Sequence, residues 1–284
     1  DNIAPTVTDG NISISGATGT GGAFKTGDTV TATWNNTAGG DNNGDITGVT
    51  VDFTQFGGGA AVAATNSSGT WTATYTITSG DIDATNRNVA VTATDNAGNV
   101  TVAADTTNAT VDNIAPTVTD GNISISGATG TGGAFKIGDT VTATWNNTAG
   151  GDNNSDTISS VTVDFSQFGG GVAVAATNSS GTWTATYTIA SGAMDATNRN
   201  VSFTVTDNAG NTTTRADTTN ATIDNIAPTV SIASGLPAIT NTSPIPVTIT
   251  FSESVTGFVI GDLTVGNGTA GNFSGSGTAY TADI

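Results

Sequence analysis

Apolar and polar residues alternate with a period of two along most of this chain. Val30, Ala32 and Trp34 alternate with Thr29, Thr31 and Thr33; Val49, Val51 and Phe53 alternate with Thr50 and Asp52; Trp71, Ala73, Tyr75 and Ile77 alternate with threonines. Successive side chains of a strand point to opposite faces, so the pattern predicts half-buried antiparallel strands. Further strands are expected near 12–15, 60–65, 89–94 and 100–111, bounded by Gly, Asn and Asp clusters such as GGAFKTGD, NSSG and DNAGN. Seven strands in about 110 residues, with no helical stretch, specify a β-sandwich. Each tryptophan falls on the apolar phase of its strand and is expected in the core, and the outward threonines are β-branched filler.

The pattern then repeats. The segment from Asp1 to Lys25 recurs unchanged from Asp112 to Lys136, and DNIAPTV opens a third time at Asp224. A period of this size makes each copy a whole small domain, so the expected organisation is 1–111, 112–223 and a partial third domain of a different subtype at 224–284. Trp145, Trp183, Tyr187, Phe203 and Val205 keep the places of the first copy. The third segment alternates at Val247, Ile249 and Phe251 and again at Phe258 and Ile260, and about five strands are expected in it. A sandwich cut there would be completed by sequence beyond Ile284 or by another chain. The chain reads as a piece of something longer.

Charge sharpens this picture. There are 23 acidic residues against 5 basic ones, a formal charge of -18, and Glu253 is the sole glutamate. Short Asp carboxylates fold back on their own loops or hold a hard cation; the alternative is a solvated acidic surface on a secreted protein. Either way the surface repels nucleic acid and anionic membranes. Cysteine and histidine are absent, which excludes disulfides, thiol catalysis, the usual zinc sites and any triad with an imidazole. No apolar run approaches the roughly 20 residues needed to cross a bilayer. Richness in Thr, Asn, Gly and Ala with few Lys or Arg suits an extracellular protein.

The openings DNIAPTV, the hairpins TATDNAGN (Thr92 to Asn99) and TVTDNAGN (ending at Asn211), and the motif VTITFSESVTGFVIGDLTVGNGTAGNFSG carry a resemblance. The chain resembles the bacterial Ig-like repeats of giant cell-surface adhesins and biofilm proteins, over its whole length and most specifically in the last motif. That resemblance implies an all-β fold of tandem Ig-like β-sandwich domains in an extended linear array, often stiffened by calcium at the junctions. It implies a non-catalytic structural extender, secreted or on the bacterial cell surface, whose partners are neighbouring Ig-like domains of the same longer chain. The alternative is a self-assembling subunit of an extracellular filament or surface layer, with strand exchange between identical chains. An enzyme working through an Asp pair is disfavoured, because the same Asp set would have to be active in every repeat. Neither nucleic acid nor direct membrane insertion is expected. Unlike antibody Ig domains, the chain lacks both cysteines and carries its tryptophans on the second and fifth strands.

Two places gather candidate calcium ligands. The turn Asp41-Asn42-Asn43-Gly44-Asp45 recurs as Asp152-Asn153-Asn154-Ser155-Asp156, and D-x-N-x-D sets Asp41, Asn43, Asp45 and their counterparts Asp152, Asn154, Asp156 at alternate positions of a curled loop. It is not an EF-hand: Ile46 or Thr157 stands where Gly is needed and no bidentate Glu follows. A turn whose Asn and Asp side chains cap their own backbone remains equally open. The second place is the junction. With alternating strand directions, a head-to-tail joint collects the linker Asp112 and Asn113, the loop of Asp81, Asp83 and Asn86 below, and Asp152, Asp156, Asp207 and Asn208 above. So many carboxylates repel one another unless a cation sits among them. The same logic applies at Asp224 and Asn225 with Asp195 and Asn198, more weakly because Ala193 replaces Asp81. The linker also resembles cadherin calcium linkers in type, though only the DN and AP letters match. The alternative is that Ala-Pro stiffens the linker and sets the entry angle of the first strand of the next domain. The DNAGN turns at Asp95 and Asp207 are chiefly hairpins in which Gly98 and Gly210 supply positive φ, with the aspartates as further ligand candidates.

Overall fold

The computed structural model describes residues 2–284. Among them there is no α-helix; the only helical pieces are 3-10 turns of three residues. The fold is all-β, as the alternation predicts.

The first copy contributes ten strands: β1 (Ile12–Ser15), β2 (Thr29–Asn35), β3 (Ile46–Asp52), β4 (Val62–Ala63), β5 (Thr65–Ser67), β6 (Thr70–Thr76), β7 (Asp83–Arg87), β8 (Ala90–Asp95), β9 (Val100–Ala104) and β10 (Ala109–Asp112). One sheet has the order β1-β2-β6-β5 and the other β4-β3-β8-β9, while β10 pairs with β7. Register puts apolar residues opposite one another: Val30 faces Tyr75, Ala32 faces Ala73 and Trp34 faces Trp71, while Val51 faces Val91. These inner faces meet in one core with Phe24, Phe53, Phe56, Ile77 and Val111. Burying such side chains contributes roughly 1.5–3 kcal/mol each before entropy is counted. Trp34 and Trp71 are buried, and Tyr75 is half-buried at the rim of this core with its hydroxyl donating to the Gly57 carbonyl at 2.9 Å.

Three details depart from the alternation. The expected strand at 60–65 is two short ones, because β4 pairs with β3 in one sheet and β5 with β6 in the other. The stretch 100–111 breaks into β9 and β10, between which Asp105 turns the chain by accepting the Thr107 amide. Asp83–Arg87, expected as loop, is a strand. Its sequence DATNR has no apolar alternation, and β10 pairs with it through the backbone.

The chain divides into two compact units. The first comprises the chain up to Gly127 with Thr140–Tyr187 and Asn198–Asn220. Besides the copy just described, it contains the sheet Val174–Ala175, Ile158–Asp164, Ser202–Asp207, Thr212–Ala216, and pairs Ile123–Ser126 with Thr140–Asn146. Trp145, Phe165 and Phe203 are fully buried.

The second unit comprises Ala128–Asp139, Thr188–Thr197 and Ala221–Ile284. In it Phe135–Lys136 runs parallel to Ala221–Asp224. Val230–Ala233, Pro246–Val255 and Gly271–Asp283 form an antiparallel sheet whose core is Ile249, Tyr280 and Ala282, ringed by Phe251, Phe258 and Phe273. Three strands form in the third segment where about five are expected. Gly257, Gly261, Gly266 and Gly268 interrupt the intervening stretch; Phe258 still packs on the core, but Ile260 begins a 3-10 turn and is 41% exposed.

Candidate metal centre

Strand β10 ends at Asp112, whose cross-strand partner is Asp83 on β7. Two further carboxylates come from the second copy: Asp156 from the turn before Ile158–Asp164, and Asp207 from the end of Ser202–Asp207. One oxygen each of Asp112, Asp156 and Asp207 lies within 4.8 Å of the others. Asp112 is 3% exposed and Asp207 1%. Among the described residues this is the one group of three acidic side chains so placed. The ion pairs of the described residues lie elsewhere, Lys25 with Asp28 at 3.4 Å and Lys136 with Asp139 at 3.6 Å.

The electrostatics follow from that placement. Burial pushes the Asp112 carboxyl up to about 6; the Ile114 amide opposes this, and the charges of Asp207, Asp156 and Asp83 add to it. Burial also raises Asp156, followed by repulsion from Asp83 and Asp207. Asp207 is held in place by the amides of Ala209, Gly210 and Asn211, all donating to its Oδ1. Carboxylates so close need a proton or a cation between them. The donor set is entirely hard oxygen, which fits calcium or magnesium and not a soft metal.

The D-x-N-x-D turns behave differently. Asp41 accepts from the Thr8 amide at 2.9 Å, the Thr8 hydroxyl at 2.6 Å, Asn11 Nδ2 at 2.8 Å and Trp34 Nε1 at 2.6 Å. Burial alone would raise its pKa, but these donors together hold it below the usual carboxylate range. Asn43 accepts the Thr6 amide at 2.8 Å and donates to the Thr6 carbonyl at 2.8 Å. Asp152 and Asn154 repeat these bonds with Thr119, Asn122, Trp145 and Thr117. Both side chains therefore fasten the preceding segment to the turn. The last position diverges: Asp156 turns towards Asp112, while Asp45 is half-buried at the matching place of the first copy.

The linker asparagines are staples. Asn113 accepts the Ile82 amide at 2.8 Å and donates to the Thr78 carbonyl at 2.8 Å. Asn225 does the same with Met194 and Ala190. Asp224 accepts the Ile226 amide and lines a cleft of about 420 Å³ with Lys136 and Glu253, so a lysine joins the acidic set there. Asp195 is exposed on its strand, and Asp81 is exposed in its loop. Asp95 caps its own turn, accepting from the amides of Ala97 and Asn99. The sequence reading missed Asn211, whose carboxamide donates to the Asp112 carbonyl at 3.1 Å and to Asp207 Oδ2 at 3.0 Å. Its only signal was the recurrence of DNAGN.

The family model described as bacterial Ig-like domain matches residues 224–284. No curated protein matches the chain. Among solved structures, the chain is similar to a tetra-tandem repeat in the extending region of a large adhesion protein, at 19% identity over 84% of this chain and 55% of that one, with a TM-score of 0.29. It is also similar to SGBP-B of the Bacteroides ovatus mixed-linkage glucan utilization locus, solved with a mixed-linkage heptasaccharide, at 20% identity over 77% and 46% of the two chains, TM-score 0.19. Dimeric latent PorU of Porphyromonas gingivalis follows at 11% identity, 86% and 27% coverage, TM-score 0.22. The chain thus spans about half the length of the first two and about a quarter of the third.

Proposed function

We propose that this chain is a non-catalytic extender segment of a bacterial cell-surface adhesin or biofilm protein, built from Ig-like modules at 1–111, 112–223 and 224–284, with calcium held where the first module gives way to the second. The observation that carries the reading is the position of Asp112. It is the first residue of the second copy, it is 3% exposed, and it lies among Asp156, Asp207 and Asp83, while the ion pairs among the described residues lie elsewhere. An acidic cluster at a repeat boundary ties the ends of two modules to one cation. The unchanged recurrence of 25 residues supports a spacer, since repetition sets length and valency better than it sets catalysis.

In this reading Asp112 and Asp83 come from the preceding module and the linker, and Asp156 and Asp207 from the following one. Calcium, when bound, supplies the positive charge that lets these four approach. The Asp207 turn and the β7–β10 pairing hold the oxygens in place beforehand. Calorimetric titration and thermal melting, in calcium and in chelator, test the idea on the whole chain and on Asp112→Asn. Calcium should stabilise the native chain and do so far less in the variant. Indistinguishable melting in calcium and in chelator would leave the aspartates as mere acidic surface.

A further inference from the structure

Asn211 lies where demands from two modules meet. Its Oδ1 accepts the backbone N–H of Thr26 at 3.0 Å, 185 residues earlier in the chain, while its Nδ2 serves Asp112 and Asp207. Two residues before it, the Ala209 carbonyl accepts the Thr20 amide at 3.2 Å. A Cβ at Gly19 would stand 2.6 Å from the Ala23 carbonyl oxygen of its own loop and 2.7 Å from the Ala209 oxygen, so the glycine serves both the loop's own turn and this approach. Gly210 lies along the lysine stem, its hypothetical Cβ 3.4 Å from Lys25 Cδ. The turn Asp207–Asn211 is thus seated against the loop Gly19–Thr26 of the first module.

The same five residues, DNAGN, stand at Asp95–Asn99. Their internal bonds match: Asp95 Oδ1 accepts from the amides of Ala97 and Asn99, and Asn99 Nδ2 donates to Asp95 Oδ2 at 2.8 Å. The two turns differ in what covers them. Ala209 is 3% exposed and Asn211 4%, whereas Ala97 and Gly98 are exposed. The alanine of this turn is buried in one copy and exposed in the other, and the covering loop makes the difference.

We propose that the DNAGN turn is a docking plug for the loop TGTGGAFK, and that Asp95–Asn99 presents a second plug to another module carrying that loop, a further copy of this repeat. The chemistry of recognition is backbone-directed. The alanine carbonyl takes the N–H at the Thr20 position, the asparagine carboxamide takes the N–H at the Thr26 position, and the glycine at position 19 admits the close approach. None of these contacts requires a cation. The inference therefore goes beyond the calcium joint, with which it shares Asp207 and Asn211.

The chain has no cysteine, so introduced pairs report without background. In the full chain, Thr20→Cys with Ala209→Cys should be closed by a short bismaleimide; failure of that pair would overturn the docking itself. An extended chain, with one more copy of residues 1–111 joined ahead of Asp1, carries Thr20→Cys in the added copy and Ala97→Cys in the original first module. Closure within about twofold of the first pair, in chelator as well as in calcium, is the expected result. An extended chain that stays uncrosslinked while the first pair closes would overturn the proposal. Closure in calcium alone would also overturn it, leaving the calcium joint standing. Closure in chelator from a chain whose melting ignores calcium would keep the plug and remove the calcium reading.

Discussion

Trp34 donates its Nε1 proton to Asp41 Oδ2 at 2.6 Å, and Trp145 does the same to Asp152, also at 2.6 Å. One edge of each indole lies in the sandwich core and the other is tied to a turn that also grips the segment before β1, through Thr8 in the first copy and Thr119 in the second. This explains why the first position of each D-x-N-x-D turn is an aspartate: two oxygens must take four donors.

Asp41→Ala should therefore destabilise the fold by about 2–3 kcal/mol, because it leaves a buried indole N–H and several other donors without an acceptor. Denaturant unfolding followed by tryptophan fluorescence measures it. A loss below about 0.5 kcal/mol would show that the bonds are incidental. Asp152→Ala should cost a similar amount, and the two should add, because the two aspartates share no hydrogen-bond partner.

Calcium should raise the melting temperature of the native chain, with about 2.7 kcal/mol per site expected at a hundredfold excess over the dissociation constant. Magnesium should do less, since it demands a strict octahedron of oxygens and gives up its waters reluctantly. In chelator Asp112→Asn should be at least as stable as the native chain, because it removes repulsion; in calcium the order should reverse. Equal gains from calcium in both proteins would place the ion elsewhere.

The pH response should change sign with calcium. Asp112 titrates at about 6 in the folded chain, above the roughly 3.9 of an unfolded aspartate. Between those values the folded state binds the extra proton, so the chelated protein should become more stable as pH falls from 7 to 5. The depressed carboxylates act oppositely but later: their contribution is present above the unfolded pKa and is lost as pH falls through the folded one, about 2 for Asp139, where burial is outweighed by the Thr129 and Lys136 donors. With calcium present, protons compete for the same oxygens and the calcium gain should shrink over that range. Melting at pH 7 and pH 5 with and without chelator decides it. A chelated chain that loses stability on going to pH 5 contradicts the assignment, and Asp112→Asn should flatten the response.

Gly58 and Gly48 make a matched pair. A Cβ at Gly58 would stand 2.8 Å from the Phe53 Cβ and 2.8 Å from the Tyr75 ring, so Gly58→Ala should cost about 1–3 kcal/mol by overpacking. At Gly48 a Cβ meets nothing within 4 Å, and Ser160 already stands at the matching place of the second copy. Gly48→Ser should be neutral or slightly stabilising. Equal effects at the two sites would mean that the Tyr75 ring can move aside.

Period two placed Val30, Ala32, Trp34, Trp71 and Ala73 in the core, and the unbroken recurrence from Asp112 placed an acidic linker where one copy meets the next. Both are local facts, since a strand's pleat assigns each side chain to a face whatever lies opposite. The fates of the polar groups were not local. Asp152 and Asp156 sit four residues apart in one turn, yet the first is taken up by Thr119, Asn122 and Trp145 while the second stands beside Asp112. Asp83–Arg87 had no alternation to show that it would pair, because β10 supplied the backbone partner. Asn99 and Asn211 close identical turns, and the burial around Asn211 follows from the loop at Gly19–Thr26 seated against its turn. Hydrophobic faces are written in neighbouring residues, but a hydrogen-bond donor or a like charge acts from wherever the chain returns, and only the tertiary structure decides that.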